Sequence, residues 1–497
     1  MAIVAGIDNG TQSTKVLIYD SQAKKILAQT SSAHDIISKD DGTREQLAQW
    51  WVTALKDCFH KIDKDLRSQI QAIGVSGQQH GFVPLDKDGQ VLAPVKLWCD
   101  TATTEECAEI TKSLGGTERA MELTGNEIKP GYTAPKVLYL KKHNIGAYNK
   151  MRWIMLPHDF LNFYLTDSPT MEFGDASGTA FFDVKNRTWS KEVLKAIDSD
   201  KDLEQCLPKL IRANNIAGHV YSRASEELGI PSGIPVSCGG GDNMMGAIGT
   251  GTVRQGDLTM SMGTSGTLYG ISETPVVDYQ GRLAAFCSST DSFLPLLCTM
   301  NCTVASEVTR SLFELDIQGL NDEAAKAPIG CQGVQMLPFF NGERTPNYPN
   351  GTGTIFGFNL SNMTKSNICR SAMEASVYSM RYGLDSFISL GFKPKRLKLI
   401  GGGAKSPLWR QMVSDVFNLP VSIPENSESA AFGAALQALF AIETINKTNV
   451  TIQEITDTHV KMDVNKGCSP NTENHKLYTQ VYQSWIQKLQ ATAPIFT

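Results

Sequence analysis

The sequence AGIDNGTQSTKVLIYD, at residues 5–20, is the segment most informative about the fold. Its apolar residues predict a strand over 3–8 and a second strand over 15–19, with a polar turn between them. A plain hairpin turn needs only its glycine, but this one also carries hydroxyl side chains, an aspartate and a lysine. These additional polar groups indicate that the turn contacts a ligand.

The same pattern of strand, polar turn and strand recurs in the second half of the chain. GDLTMSMGTSGTLYGIS, at residues 256–272, again predicts a strand, a glycine-hydroxyl turn and a strand. A strand that ends in three glycines also occurs twice, in PVSCGGGDN at 235–243 and in RLKLIGGGAKSP at 396–407. The glycine-hydroxyl turn and the strand that ends in three glycines thus both occur twice, in corresponding places. They predict an internal duplication of two α/β halves, joined near the glycine-rich residues 245–256.

Bulk composition limits the classes of protein. A length of 497 residues predicts two or three domains, and a net charge of -5 gives no sign of nucleic acid or an anionic membrane as a partner. We find no secretory signal, and no apolar stretch approaches the roughly 20 residues that span a bilayer. The eleven cysteines form no C-x-x-C pair, which favours free thiols in a cytoplasmic protein.

The two glycine turns are candidate phosphate-binding sites. The sequence contains neither G-x-x-x-x-G-K-[S/T] nor G-x-G-x-x-G. Successive backbone N–H groups in such turns form an anion-binding concavity, and Thr11, Ser13, Thr264 and Ser265 add hydroxyl donors. Phosphates in these turns would repel the carboxylate of Asp8 unless a cation such as Mg²⁺ lay between them. The alternative is a turn stabilised only by its Asx side chains.

The two glycine runs differ in the residue that comes directly after them. Asp242 comes after the first run, where an acid in an open cleft can accept a proton from a hydroxyl that attacks phosphorus. Its alternative role is the N-cap of the next helix. The second run, at 401–403, has no acid and suits a flat ring or a ribose, unless it is only a tight turn. Ser406 and Pro407 then predict the start of a helix that continues to 417.

Two motifs of the first half are typical of a site for a polyhydroxylated ligand. GQQHG at 77–81 and LWCD at 97–100 supply amide, imidazole, indole and carboxylate groups. The alternative for His80 is a hydrogen-bonded structural histidine. FFNGERTPNYP, with Glu343 and Arg344 adjacent, predicts an exposed loop; its plain interpretation is a surface turn held by a salt bridge, and composition assigns it no role. The eight histidines do not cluster, so we expect no histidine metal site.

Taken as an ordered set, the motifs resemble those of the FGGY carbohydrate kinases nearly end to end. They are GIDNGTQSTK, GQQHG, LWCD, GYTAPKVLYL, LPHDFL, GDASGTAFFD, GGGDN, SMGTSG, NGERTP, IGGGAKSPLWRQM and AAFGAALQA. The resemblance implies an α/β fold of two actin-like (ribonuclease-H-like) domains that flank a cleft. It implies an N-terminal domain at 1–246, mainly for the sugar, and a C-terminal domain at 247–497, mainly for ATP.

The resemblance also implies an activity and a set of site residues. The activity is ATP-dependent phosphorylation of D-xylulose to D-xylulose 5-phosphate, with Asp242 as catalytic base and Asp8 holding Mg²⁺ through water. The implied sugar-binding residues are Gln79, His80, Trp98, Asp100, Asp242 and Asn243. The implied ATP-binding residues are Thr11, Gln12, Ser13, Gly263, Thr264, Gly402, Gly403 and Ser406.

Two sugar-contact positions depart from the commoner form of these motifs. Gln79 stands where methionine is commoner, and Cys99 stands where asparagine is commoner. Both leave the reaction class intact and keep another ketose or polyol, such as ribulose, open as the substrate. Nucleotide-gated chaperones and filament proteins are a further alternative, but they share only the phosphate hairpins with this chain. We expect a ketopentose and ATP as partners, no nucleic acid and no membrane; a homodimer stays open.

Overall fold

The computed structural model describes residues 2–496, which form two α/β halves, each built on a mixed sheet. In spatial order, the strands of the first sheet are Ile216–His219, Pro235–Ser237, Ile70–Gly77, Ile3–Asn9, Ser13–Asp20 and Lys25–Ala33, with Gly240–Gly241 also paired to Ile70–Gly77. Those of the second sheet are Leu296–Thr299, Gly266–Gly270, Asp257–Met262, Arg396–Ile400 and Val421–Ser422.

Each sheet contains an antiparallel hairpin at its centre. The first hairpin joins Ile3–Asn9 to Ser13–Asp20, and the second hairpin joins Asp257–Met262 to Gly266–Gly270. In both sheets, the first strand of the hairpin also pairs in parallel with a later strand. This repeated order and direction of strands confirms the internal duplication predicted from the two glycine turns.

Helices and shorter strands complete the two halves. The helices of residues 2–249 are Ala48–His60, Lys64–Arg67, Thr104–Ser113, Thr117–Thr124, Thr133–His143, Ile145–Lys150, Pro157–Thr166, Phe173–Ala176, Lys191–Ile197, Ser222–Leu228 and Asp242–Gly249. Those of residues 250–496 are Val304–Leu312, Ile317–Lys326, Lys365–Ser389, Pro407–Phe417, Ser429–Ile445, Ile452–His459 and Thr472–Phe496. The shorter strands are Ile37–Ser38, Arg44–Gln46, Val83–Leu85, Val95–Lys96, Trp153–Met155, Thr170–Glu172, Phe182–Asp183, Thr188–Trp189, Lys209–Ile211, Gln335–Pro338 and Gly353–Phe356.

The starts of two helices test the serine and proline signals in the sequence. Pro407–Phe417 begins as predicted, because the Ser406 hydroxyl accepts a hydrogen bond from the backbone N–H of Trp409 at 3.2 Å. In GYTAPKVLYLKKH, a proline signal alone predicts a helix that begins after Pro135, but the structure has it begin earlier. The helix is Thr133–His143, and its proline lies in the first turn, where no intrahelical N–H partner is required.

Helix Ser429–Ile445 connects the two halves of the molecule. It packs on the first sheet and against helix Asp242–Gly249. A Cβ on Gly6 would overlap the carbonyl oxygen of Ala431, and one on Gly433 would overlap a carbonyl oxygen of the neighbouring helix. The glycines therefore let the backbone of helix Ser429–Ile445 contact the first sheet and helix Asp242–Gly249 directly. This contact fixes the start of helix Asp242–Gly249 at the edge of the first sheet.

The expected domain boundary falls inside helix Asp242–Gly249. The division into 1–246 and 247–497 stays a prediction, as does a hinge at 245–256. No helix within residues 2–496 is both long and apolar enough to cross a membrane.

Candidate active site

In the turn of each hairpin, the glycine N–H donates to the carbonyl oxygen of a serine, three residues later in the first turn and two residues later in the second. The N–H of Gly10 donates to the carbonyl oxygen of Ser13 at 3.0 Å, and that of Gly263 donates to the carbonyl oxygen of Ser265 at 3.2 Å. A Cβ on either glycine would have this same serine oxygen as its nearest neighbour, at 3.5 Å in the first turn and 3.4 Å in the second. Both turns are therefore open in front of the glycine, as a ligand-binding turn requires.

The first turn is bonded to a predicted sugar residue. Trp98 donates its indole N–H to the Thr11 hydroxyl at 3.0 Å, and this hydroxyl donates to Gln78 Oε1 at 3.2 Å. Gln12 in the first turn and Thr264 in the second are exposed. The structure thus brings the indole to the first turn and leaves the side chains at the tips of both turns free to meet a ligand.

Asp8 and Asp242 influence each other electrostatically. Asp8 lies at the end of its strand, and its Oδ1 accepts the Ser76 hydroxyl hydrogen bond at 2.8 Å. Burial raises the pKa of Asp8, with a further increase from Glu428. Burial also raises the pKa of Asp242 to about 7, and the nearby charge of Asp8 is the next cause. The first hairpin and the first glycine run therefore bring their two acids to one place.

The alternative role of Asp242 as a helix N-cap is wrong. Gly241 occupies the N-cap position without a capping side chain, and Asp242 is the first helical residue. Its Oδ1 instead accepts two hydrogen bonds from Asn243, from the backbone N–H at 2.7 Å and from Nδ2 at 2.9 Å. The carboxyl is thus held by its neighbour and is not used to close the helix end.

Gln79 and Asn243 form the adjoining part of the predicted sugar site. Asn243 Nδ2 donates to Gln79 Oε1 at 3.0 Å. Gln79 Nε2 is buried and has no hydrogen-bond partner among the residues that the structure describes. A Cβ on Gly241 would lie 2.7 Å from Gln79 Cγ, so the glycine run admits this side chain beside Asp242. The amide therefore has a free donor group next to the acid.

His80 lies in a mainly aromatic environment. Its backbone is left-handed, with φ of 64°. Its ring meets Tyr132 edge-on at a centroid distance of 4.8 Å and lies 5.7 Å from Phe286. Burial lowers the pKa of His80 to about 3, so the imidazole is neutral at physiological pH. A neutral ring can donate or accept one hydrogen bond to a sugar hydroxyl without carrying charge.

Sequence reasoning missed Lys136, which holds the backbone of His80. Its Nζ donates to the carbonyl oxygens of His80 at 2.8 Å and Gly131 at 2.7 Å. Burial lowers the pKa of Lys136 to about 7. The sequence offered one signal, a lysine among the mainly apolar residues at the start of helix Thr133–His143. The helix residues on both sides of this lysine are buried.

Asp100 is a predicted sugar residue that has structural partners. It is buried, and its Oδ2 accepts hydrogen bonds from the Arg44 backbone N–H at 2.8 Å and from Lys96 Nζ at 3.2 Å. Its Oδ1 accepts the Ala102 N–H at 3.1 Å. These bonds fix the loop that carries Trp98, and a direct contact of Asp100 with sugar stays a prediction.

The second glycine run lies against the second hairpin. Gly402 is exposed, whereas a Cβ on Gly403 would lie 2.9 Å from Met262 Cβ. Gly401 has φ of 89°, a conformation that favours glycine. Ser406 is the N-cap of the following helix, so its hydroxyl is engaged within the protein. The run therefore offers bare backbone beside the second turn, as the predicted nucleotide site requires.

The Glu343–Arg344 prediction is wrong in its geometry. Glu343 is buried, and its carboxylate accepts backbone N–H bonds from Met300 and Arg344, both at 2.7 Å, and from Asn301 at 3.2 Å. The loop thus folds around an acid and not around a surface salt bridge. The exposed Arg344 contributes, after burial and Lys136, to lowering the pKa of His80.

The surroundings of Asp8 fit a Mg²⁺ ion bound together with phosphates. Within residues 2–496, no group of three or more His, Cys, Asp or Glu side chains is placed to hold a metal ion. Mg²⁺ does not need such a cage, because it prefers one or two carboxylates with waters and phosphate oxygens. Asp8 is half-buried, and burial raises its pKa, whereas the positive charge of Lys15 lowers it. A metal cation beside this carboxylate would stabilise the ionised form in the same way.

Two duplicated α/β halves with matching open turns define the actin-like fold, and the raised pKa of Asp242 suits a group that accepts a proton. The chain belongs to the FGGY family of carbohydrate kinases: the family's N-terminal domain matches residues 3–249 and its C-terminal domain matches residues 258–442. The protein is therefore an ATP-using carbohydrate kinase, as the motifs predict.

Individual relatives agree with this assignment. The chain is 41% identical to a xylulose kinase from Haemophilus influenzae, over 97% of this chain and 99% of the relative. It is 35% identical to a xylulose kinase from Streptomyces rubiginosus, over 88% of this chain and 87% of the relative. The solved xylulose kinase from Bifidobacterium adolescentis superposes with a TM-score of 0.81 at 27% identity, covering 96% of this chain and 99% of that one.

Proposed function

We propose that this kinase transfers the γ-phosphoryl group of ATP to the terminal 5-hydroxyl of D-xylulose, giving D-xylulose 5-phosphate and ADP. The relatives named xylulose kinase, one of them 41% identical over nearly the whole chain, support this substrate. The observation that carries the mechanism is Asp242, whose carboxyl adjoins both the predicted sugar residues and the acid of the first hairpin, with a pKa of about 7.

Asp242 acts as the general base. It accepts the proton of the 5-hydroxyl while this oxygen forms a bond to the γ-phosphorus and the bond between that phosphorus and the β,γ-bridging oxygen breaks. A pKa near 7 makes the carboxylate as basic as it can be while it is still largely ionised at physiological pH. The two hydrogen bonds from Asn243 orient the carboxyl toward the cleft.

The two hairpin turns bind the phosphates of ATP. The first turn contributes Thr11, Gln12 and Ser13, and the second contributes Gly263 and Thr264. Asp8 would hold Mg²⁺ through water, and the bound ion would supply positive charge to the phosphate oxygens. The exposed backbone of Gly402 and Gly403, with Ser406 fixing the next helix, borders the nucleoside.

The sugar lies against Trp98, Gln79 and His80. The indole supplies an aromatic wall that is bonded to the first phosphate turn, and the neutral imidazole supplies one hydrogen bond. Gln79 offers its free Nε2 group to a sugar hydroxyl. Closure of the two halves around the sugar excludes water, which would otherwise accept the phosphoryl group.

A second ketose is the main alternative substrate, and Gln79 is the observation that favours it. An amide donor replaces the commoner thioether, and a buried polar group left unpaired costs about 1–3 kcal/mol. A sugar with a hydroxyl placed differently, such as D-ribulose or L-ribulose, would then satisfy the site better. This cost corresponds to a difference of roughly 5- to 150-fold in kcat/KM.

The test is a sugar panel in a coupled assay of ADP release. We expect D-xylulose to give the highest kcat/KM among D-xylulose, L-xylulose, both ribulose enantiomers, D-fructose and glycerol. A preference for a ribulose or for glycerol would contradict the substrate and leave the kinase mechanism intact. Sugar-independent ATP hydrolysis as the main activity would contradict both and support the gated-ATPase alternative.

A further inference from the structure

A cluster of four ionisable side chains is buried beneath the predicted sugar and base residues. We call His158, Asp159, Glu172 and Asp175 the His158 cluster; each has an exposed fraction of 1% or less. His158 Nδ1 lies 2.5 Å from Asp175 Oδ2, and His158 Nε2 lies 3.0 Å from Asp159 Oδ1. The proposed mechanism uses none of these groups. Buried charges are costly even when paired, and apolar side chains of similar volume often give equal or greater stability.

His158 is wedged between the two strand ends that lead to the site. A Cβ on Gly77 would lie 2.8 Å from the backbone nitrogen of His158, and a Cβ on Gly239 would lie 2.8 Å from His158 Cδ2. Gln79 comes two residues after the first of these glycines, and Asp242 comes three residues after the second. A shift of the histidine would therefore move the sugar-binding turn and the base together.

Glu172 makes a second contact with the glycine run. Its carboxylate accepts the N–H bonds of Gly174 at 2.7 Å and Asp175 at 2.8 Å, and the Ser289 hydroxyl bond at 2.9 Å. A Cβ on Gly240 would lie 3.1 Å from Glu172 Oε1. Two consecutive glycines before Gly241 are thus in contact with the cluster, and side chains at these positions would displace it.

The charges of the cluster reach the base. Burial lowers the pKa of His158, but the carboxyls of Asp159 and Asp175 outweigh burial and raise that pKa to about 9. Burial also raises the pKa of Asp159 to about 8 and that of Glu172 to about 7, so the members of the cluster titrate together and share their protons. The pKa of Asp242 is raised first by burial and next by Asp8, and Asp175 adds to this increase, while Asn243 opposes it. The cluster is thus linked to the base by charge as well as by packing.

We propose that the His158 cluster positions the general base: the imidazole holds the strand ends at Gly77 and Gly239 together, and it pairs with the carboxyls that lie beneath Asp242. His158 and Asp175 are positioning residues, because they act on the reaction only through Asp242 and the sugar-binding turn. The inference rests on the proposed role of Asp242.

The test uses the isosteric variant Asp175→Asn, which keeps an acceptor for His158 Nδ1 and removes one negative charge. We expect the acid limb of the pH profile of kcat/KM for the sugar to move to lower pH by about half a unit, because a negative charge that raises the pKa of Asp242 is gone. Glu374→Gln is the matched control: Glu374 is equally buried in the other half and pairs with Arg370 at 2.8 Å. It is expected to lower stability without moving the limb.

His158→Gln tests the positioning itself. We expect kcat to fall at least about tenfold and the dissociation constant of the sugar to rise, since the base and the sugar-binding turn are displaced together, while the KM for ATP changes less than about threefold. Thermal unfolding identifies variants that do not fold. Ser289→Ala, which removes only a hydroxyl that binds Glu172, is a milder variant, and we expect it to lower kcat by about threefold.

The proposal is overturned if the variants that fold keep wild-type kcat and an unmoved acid limb and lose only thermal stability. Asp242→Asn, measured in parallel, separates this failure from failure of the proposed function. If Asp242→Asn retains turnover, the base assignment is wrong; if it abolishes turnover while the cluster variants behave as wild type, only the positioning role is wrong.

Discussion

At the scale of the residue, Asp242 is the group on which the proposed chemistry depends. Asp242→Asn keeps the size of the side chain and an oxygen that can accept the bonds from Asn243, but it cannot take up a proton. We expect kcat to fall about 10²- to 10⁴-fold, the usual contribution of a positioned general base. Sugar affinity, measured by titration calorimetry, should change little. Turnover near the wild-type rate would show that another group accepts the proton.

The same residue gives stability a dependence on pH. The pKa of Asp242 is about 7 in the folded protein, above its ordinary value of 3.8. Between these values the folded state binds more protons than the unfolded state, so the contribution of Asp242 to stability falls as pH rises through this window. We therefore expect Asp242→Asn to melt at a higher temperature than the wild type at pH 8, and the difference to shrink at pH 5.

The control for this comparison is Asp88→Asn, at an exposed position. It should leave the difference in melting temperature near zero at both values of pH. A stabilisation by Asp242→Asn that is the same at pH 5 and pH 8 would mean that packing, and not ionisation, is its cause.

Single residues also show where prediction from the sequence ends. Asp242 was singled out because three glycines before it signal close approach, and Gln79 because its motif collects amide and imidazole groups; the roles of both stay predictions. Lys136 and Glu343 were missed or misread, because their partners are backbone groups that only the fold brings near. A charged residue in a sequence favours an exposed position, and burial against main-chain groups leaves no local signal.

At the scale of the element, local chemistry was enough to predict the hairpins and capped helices. The turn residues and the alternation of apolar side chains lie within a few positions of each other, so the first hairpin and helix Pro407–Phe417 were predictable. The N-cap assigned to Asp242 was wrong because Gly241 already takes the non-helical position. Propensity alone could not choose between two adjacent residues that both suit a helix start.

Asp8 belongs to the first hairpin, and its prediction tests the metal role. Asp8→Ala removes the carboxylate that is expected to hold Mg²⁺ and the acceptor for the Ser76 hydroxyl. We expect kcat to fall and the Mg²⁺ concentration for half-maximal activity to rise, while the circular dichroism spectrum is unchanged. The measurement is a Mg²⁺ titration of ADP release at saturating sugar and ATP.

Ser76→Ala is the control for Asp8, because it removes the same hydrogen bond and leaves the carboxylate. It should lower thermal stability without changing the Mg²⁺ dependence. If Asp8→Ala behaves like Ser76→Ala, with a wild-type Mg²⁺ dependence per folded molecule, the aspartate serves only the turn.

At the scale of the whole molecule, the duplication was visible in the sequence but the way the halves join was not. The repeat of strand, turn and strand identified two similar sheets. The alanine- and glycine-rich sequence SAAFGAALQALF predicts a helix that packs closely on a sheet, and helix Ser429–Ile445 does so, but the sequence does not say which sheet. The contact of this helix with the first sheet, hundreds of residues earlier in the chain, depends on Gly6 meeting Ala431, and no local pattern encodes such a pairing.

This junction leads to the last prediction, which concerns closure of the cleft. The two hairpin turns lie in different halves, so both can contact one ATP molecule only when the halves are suitably close. We expect saturating sugar to lower the radius of gyration in small-angle X-ray scattering, and sugar with a non-hydrolysable ATP analogue to lower it further, with the hinge near residues 245–256. Asp242→Asn should close like the wild type, because it lacks only the proton acceptor, and a sugar that is not phosphorylated should cause no change. An unchanged radius of gyration under all these conditions would mean that the cleft is already formed in the free protein, and water would then have to be excluded by the sugar itself.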